Sequence, residues 1–290
     1  MLCWAGAGIA VKEALVVFTP LTLIVLRFSL AVLLMLTIGL LCRNSEVLRL
    51  QPIDKQDIPL FILGGLFQPF LYFIFETYTY QSFASPTIAE AMLSTQPIIA
   101  PIFAFIILRE KVTRYNIAGI IISTLGMLLL LLVGAKDFAL GNPWGVLLAI
   151  VTVSMSVGYT IILRRIPTKY SSLSIVFYVQ LVALLLFYIV WAIFDRQPLL
   201  HTIPSLSTDI TPLFAVAYLA VFASVTAFIL FCYTVRQIGV TRANVFNNVR
   251  PVFTALLMFF IFDEHLPIWK WVGMIVIIIG LFICQKQRKV

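Results

Sequence analysis

Apolar runs of about 20 residues, the length a helix needs to cross the hydrocarbon core of a bilayer, recur along the chain between short polar clusters. Dividing the sequence at charge clusters and Pro/Gly turns predicts helices near 2–19, 21–42, 58–80, 86–108, 115–134, 143–163, 172–194, 212–235, 243–262 and 267–284. The connections are short, and the longest, 43–57 and 195–211, are polar and charged, as segments outside a bilayer should be. The first run begins without a basic leader and is interrupted by Lys12-Glu13, so it reads as a membrane helix rather than a secretory signal. The fold expected is an all-α polytopic membrane protein of ten transmembrane helices.

Composition sharpens this picture. With 62% hydrophobic and 11% charged residues over 290 positions, a water-soluble fold would lack the polar groups to cover its surface. Ten spans leave no room for a sizeable soluble domain, which argues against a receptor. The net charge of +8 lies in clusters between apolar runs and forms no binding stripe, so nucleic acid is not an expected partner. Fourteen lysines and arginines fall on the side of the C-terminal tail, against Lys136, Arg196 and Lys270 on the other. By the positive-inside rule both termini are cytoplasmic, in what reads as a bacterial inner membrane, with 285–290 a basic cytoplasmic tail. The four cysteines have no metal-ligand spacing. No HExxH, Gly-x-Ser-x-Gly or phosphate-loop motif occurs, so an enzyme, a metal or a cofactor is not expected.

Sliding the chain against itself by 154 residues superposes Pro97 on Pro251, Glu110 on Glu264, Gly119 on Gly273 and Gly126 on Gly280. Scarce residue types coinciding at one offset indicate duplication. The predicted domains are therefore a first five-helix repeat at 1–134 and a second at 143–284. Five is odd, so the second copy enters the membrane in the opposite sense. Inverted repeats place a site near the midplane and open it alternately to each side. Glycines seven apart lie on one helix face and admit a close neighbour. Pro97 and Pro251 are expected inside apolar helices as kinks or hinges, and Glu110 and Glu264 as boundary charges at opposite membrane faces.

These features resemble the drug/metabolite transporter superfamily, in particular ten-helix exporters of the EamA type. The matching residues are Trp4-Ala5-Gly6 with Lys12, Arg27-Phe28, and the twice-repeated order of proline, apolar run, glutamate and Gly-x6-Gly, which in the second copy runs from Arg250-Pro251-Val252-Phe253 through Asp263-Glu264 to Gly273 and Gly280. Asp263-Glu264-His265 departs from the family, where a glycine commonly precedes the glutamate. The resemblance implies a secondary carrier with a central cavity, often exporting amino acids or related metabolites.

Ionisable groups within apolar runs are site candidates by default: Lys12, Glu13, Arg27, Glu76, Glu90 and Arg250. Arg27 lies within snorkelling range of a membrane face and reads as an anchor. Gln68, Tyr72, Glu76 and Tyr80 recur every four residues and predict one polar stripe. Glu90, Ser94 and Pro97 share a face of the next helix, and their counterparts include Asn244, Asn248 and Pro251, with Asn247 beside them. Two readings stand: a substrate cavity shared by the halves, or polar bridges between helices. Glu76 and Glu90 suggest proton or ion coupling, and Lys12 and Arg250 a carboxylate on the substrate. Tyr72, Tyr78, Tyr80, Tyr159, Tyr178, Tyr218 and Tyr233 are cavity or interface candidates. The expected partners are a small-molecule substrate and the lipid bilayer, for a monomer or homodimer; a channel-like facilitator and an intramembrane enzyme are the rival functions.

Overall fold

A computed structural model describes residues 1–42, 49–82, 92–93, 95–132, 143–195, 210–262 and 267–286. All regular structure among them is helical. In chain order the helices are α1 (Leu2–Ala5), α2 (Ala7–Ala14), α3 (Pro20–Leu41), α4 (Ile58–Gly65), α5 (Tyr72–Ser82), α6 (Gln96–Leu108), α7 (Arg114–Leu132), α8 (Pro143–Arg165), α9 (Ser172–Phe194), α10 (Thr211–Tyr218), α11 (Ala227–Ile238), α12 (Val240–Val245), α13 (Arg250–Phe262) and α14 (Ile268–Gln285). A kink at Leu66–Leu71 joins α4 to α5, a π segment, Leu219–Thr226, joins α10 to α11, and a 3-10 turn, Phe246–Val249, joins α12 to α13. Among the described residues six stretches are long and apolar enough to cross a membrane: Pro20–Leu41, Ile58–Thr79, Pro143–Arg165, Ser172–Phe194, Thr211–Ile238 and Ile268–Gln285. Shorter apolar helices occupy Gln96–Leu108 and Arg114–Leu129. The chain is a polytopic all-α membrane protein.

Proline punctuates the helix starts. Pro20, Pro59, Pro97 and Pro212 occupy the first turn of α3, α4, α6 and α10, where a missing N–H costs no helical bond. Thr19, extended before Pro20, caps α3 by accepting the Thr22 N–H at 3.3 Å. This turn also shortens the first predicted helix: α2 ends at Ala14, and looser turns carry the chain to Phe18. Pro97 and Pro251 each stand second in a 13-residue helix, Gln96–Leu108 and Arg250–Phe262. Pro97 opens its helix rather than interrupting one, whereas Pro251 follows directly on the 3-10 turn Phe246–Val249, inside a continuous helical run from Val240 to Phe262; the proline inside α6 is Pro101.

The chain forms two compact units, each drawing helices from both predicted repeats. One comprises Cys3–Phe70 and Arg165–Tyr233, the other Met1–Leu2, Leu71–Arg164 and Thr234–Val290. In the former, Phe18, Leu23, Ala215, Val216, Leu219 and Ala223 form a buried core around α2 and α10. At one end of this unit, Lys169 Nζ meets Asp57 at 2.9 Å while the Tyr170 hydroxyl donates to Asp57 at 2.7 Å. These two donors hold the Asp57 carboxyl below the usual range.

In the other unit the most intimate contact lies between α7 and α14. A Cβ on Gly119 would meet the Cys284 nitrogen at 2.4 Å and the Gly280 oxygen at 2.5 Å; one on Gly126 would meet the Ile277 nitrogen at 2.7 Å and the Gly273 oxygen at 2.8 Å. Backbone therefore touches backbone, as small residues permit in lipid. Gly119 pairs with Gly280 and Gly126 with Gly273, so one helix number rises as the other falls and the two run antiparallel. A shift of 154 residues exchanges these two pairs. The equivalent helices α7 and α14 thus meet across a local two-fold relation.

Candidate functional site

Among the described residues, polar groups of the spanning helices gather in each of the two units. In the unit containing α5 to α8 and α12 to α14, the Asn244 side chain is fully buried. Its Oδ1 accepts from Gln96 Nε2 at 2.5 Å and from Asn247 Nδ2 at 3.4 Å. Its Nδ2 donates to the Val240 carbonyl at 2.9 Å and to Thr160 Oγ1 at 3.4 Å. Asn244 therefore links α6, α8 and α12. One turn on, fully buried Asn248 donates to Ser123 Oγ of α7 at 3.0 Å. Amides buried among apolar helices must be bonded to stay there, so Asn244 and Asn248 bridge helices in this conformation. Asn247 is half-buried beside them. Gln96 joins this network, although sequence patterning did not single it out. By the 154-residue offset its counterpart is Arg250, the half-buried first residue of α13, and that of Asn244 is Glu90.

On α5 the Tyr72 hydroxyl donates to Glu76 Oε1 at 2.8 Å, and Thr79 meets Thr152 of α8 at 3.2 Å. The predicted stripe from Gln68 to Tyr80 needs correcting at its start. Gln68 has φ −147° and ψ 122° at the kink between α4 and α5, so it leaves the helical register that carries Tyr72 and Glu76. The Tyr80 side chain, the Lys12 side chain on α2, and residues Glu90 and Ser94 lie outside the described residues. Among the other tyrosines, Tyr159 is fully buried, whereas Tyr78 and Tyr233 are exposed on their helices.

The second set lies in the unit containing α2, α3, α9 and α10. Arg27 of α3 is only 6% exposed, and its Nε donates to Ser224 Oγ at 2.6 Å. It therefore points into packed helices, which corrects its reading as an anchor reaching for the membrane surface. Fully buried Gln180 of α9 donates to the Ser224 carbonyl at 2.6 Å. At the end of α9, Asp195 accepts from both Thr19 and Thr22, and the Trp191 indole donates to Thr22 at 2.9 Å. Glu13 is exposed on α2.

Where α6 ends, Arg109 takes a left-handed conformation, φ 53°, and turns Glu110 toward the start of α12. The Glu110 carboxylate accepts the backbone N–H groups of Val240 and Thr241. Gly239, φ 88°, is required there, since a Cβ would lie 2.3 Å from Glu110 Oε1. Burial pushes the Glu110 carboxyl above its ordinary range, against those two N–H donors and the nearby Arg164 and Arg242. A cleft of about 350 Å³ lined by Leu108, Glu110, Arg164, Gln237, Gly239 and Arg242 opens at this end of the helices, one turn of α12 before Asn244. Among the described residues no cluster of His, Cys, Asp and Glu is suited to a metal.

Comparison with known proteins places this architecture. The model of the EamA-like transporter family matches the chain twice, over residues 1–132 and 143–284. The chain belongs to the EamA-like transporter family. It is a membrane transporter, similar over nearly its whole length to other members. An uncharacterized transporter of Archaeoglobus fulgidus is 23% identical over 286 residues, covering 98% of this chain and 95% of that one. The uncharacterized transporter YetK of Bacillus subtilis is 25% identical over 288 residues, covering 98% and 84%. A solved crystal structure superposes with a TM-score of 0.76 at 20% identity, over 98% of this chain and 94% of the other, and shares the fold. The EamA-like motif residue Trp4 has a visible contact: its indole N–H donates to the Ala223 carbonyl at 2.9 Å.

Proposed function

We propose that this EamA-like protein is a secondary active transporter that exports small metabolites, amino acids or related compounds, by alternating access. The observation that carries the reading is the antiparallel meeting of the equivalent helices α7 and α14 through Gly119–Gly280 and Gly126–Gly273. Two copies related in this way can exchange conformations, so that a site facing one side comes to face the other. The repeats are 1–134 and 143–284, threaded oppositely as ten spans with both termini in the cytoplasm of a bacterial cell.

The substrate groups are drawn from the polar side chains inside the spans. Glu76 with its Tyr72 partner, the Gln96–Asn244–Asn247 amides, Arg250, and by sequence Lys12, Gln68, Glu90, Ser94 and Asn248 form the candidate set. Lys12 and Arg250 supply positive charge for a carboxylate. Glu90, where the other copy has Asn244, supplies a titratable group in one copy alone, which suits proton coupling.

Reconstitution into proteoliposomes tests this. Saturable counterflow of radiolabelled amino acids is expected, with pH dependence abolished in Glu90→Gln. Flux that neither saturates nor exchanges would mark a channel and overturn the carrier reading; full flux with unchanged pH dependence in Glu90→Gln would remove that residue from the scheme.

A further inference from the structure

The π segment Leu219–Thr226 holds an extra residue relative to α-helical winding, for the Ala227 N–H reaches back five residues to the Phe222 carbonyl. Such a ring is wider than the α-helical one, and its carbonyls are open to donors from outside the ladder. Three of them accept side-chain donors. Val221 takes the Thr226 hydroxyl at 2.9 Å, Ala223 the Trp4 indole N–H at 2.9 Å, and Ser224 the Gln180 amide at 2.6 Å. The Ser224 hydroxyl accepts from Arg27 Nε at 2.6 Å. Residues of α1, α3 and α9 thus each send an N–H donor to one turn.

This arrangement specifies a register as well as filling space. Rewinding the segment as α-helix would displace each acceptor by one residue, about 100° and 1.5 Å, and turn α11 by the same angle. The three donors from other helices, Trp4, Gln180 and Arg27, would then lose their acceptors, which is costly in a medium without water. Trp4 is held for the task, with Phe228 and Phe231 edge-on to its ring at centroid distances of 5.5 Å. Gly6 leaves room for the Tyr218 hydroxyl, which would lie 2.5 Å from a Cβ there.

We propose that Trp4, Gln180 and Arg27 are positioning residues of the transport cycle: they hold the rod α10–α11 in its π register, and the cycle exchanges that register for the α one. The cycle role rests on the carrier reading; the lock does not.

Hydrogen–deuterium exchange of the full-length protein in nanodiscs tests the lock without a substrate. Trp4→Phe keeps a ring but removes the N–H, and Gln180→Leu keeps the bulk but removes the amide. Each is expected to speed exchange in peptides covering 219–230 about fivefold, the loss of one hydrogen bond, and the double variant at least about tenfold. Peptides of α7 and α14 should be unchanged. Wild-type exchange at 219–230 in both single variants overturns the lock. Should Trp4→Phe fail to fold, Gln180→Leu and Ser224→Ala carry the same test.

The cycle role is read from counterflow of a radiolabelled amino-acid mixture. A maximal rate altered about threefold or more, with the half-saturating concentration unchanged, is the expected result for Gln180→Leu. Wild-type kinetics alongside faster exchange would overturn the cycle role. Absence of counterflow in the wild type would overturn it together with the carrier reading, leaving the exchange result to decide the lock.

Discussion

Pro59-Leu60-Phe61 and Pro212-Leu213-Phe214 open two helices that each run eight residues in α register before breaking, at Leu66 in a kink and at Leu219 in a π segment. Beyond that point they differ. The first break is written into its own sequence: Gln68 leaves the helical φ/ψ region and buried Pro69 has no N–H to donate. The second contains no proline and is served by Trp4, Gln180 and Arg27 from elsewhere in the chain. The positions just before the breaks differ too. Gly65 lets α4 press against α9, where a Cβ would lie 2.6 Å from the Val179 carbonyl, whereas its counterpart Tyr218 reaches out to the Cys3 carbonyl at 3.2 Å. A duplicated helix can therefore keep its break by local backbone chemistry or by outside hydrogen bonds, and only the second can be released by moving a neighbour.

The contrast is broken most severely at Gly65. Gly65→Val forces a Cβ and two methyl groups into the Val179–Val182 contact and is expected to cost about 3 kcal/mol, the upper end for overpacking; Tyr218→Phe, losing one hydrogen bond, should cost about 1 kcal/mol or less. Thermal unfolding of both variants in detergent compares them, and equal losses would deny the asymmetry. Ser224→Ala should come next, at about 2 kcal/mol, because it takes a hydrogen-bond acceptor from a buried guanidinium. A loss below about 0.5 kcal/mol would show that the second break does not lean on Arg27.

The smallest effect sharpens the contrast by touching neither break. Burial raises the Glu110 carboxyl above its ordinary 4.5. The folded state therefore favours the protonated form, and its stability is greatest below the ordinary value and falls as pH rises through the raised one. Glu110→Gln lacks that titration, so its unfolding temperature should gain on the wild type from about pH 5 upward and then level off. A difference that is flat with pH would mean that the Glu110 carboxyl is not shifted.

Much of the fold was legible because lipid imposes so few solutions: helices fall in all ten predicted segments, and scarce glycines marked the α7–α14 contact. The kink at Leu66–Leu71 and the π segment at Leu219–Thr226 were not, since neither changes the hydropathy of a rod that is apolar all round. A signal existed in Pro59-Leu60-Phe61 and Pro212-Leu213-Phe214, but these match at an offset of 153, one short of the slide that aligns the later helices. Tyr72 and Glu76 were legible as i, i+4 neighbours. Gln96 and Gln180 were not, because what gives each its place is a partner 148 or 44 residues away. Arg27 was misjudged for the same reason: distance from a helix end cannot tell whether a side chain reaches for water or for Ser224.

The seam formed by Gly119, Gly126, Gly273 and Gly280 carries a consequence for the protein's ancestry. A surface that meets its own duplicate across a dyad is self-complementary, so a single unfused copy inserted in both orientations would already have owned the joint that now holds α7 to α14. Fusion would then have had only to tether what could pair by itself, with Gly119, Gly126 and Gly280 each set first against main-chain atoms of the facing helix, which cannot drift aside as a side chain can.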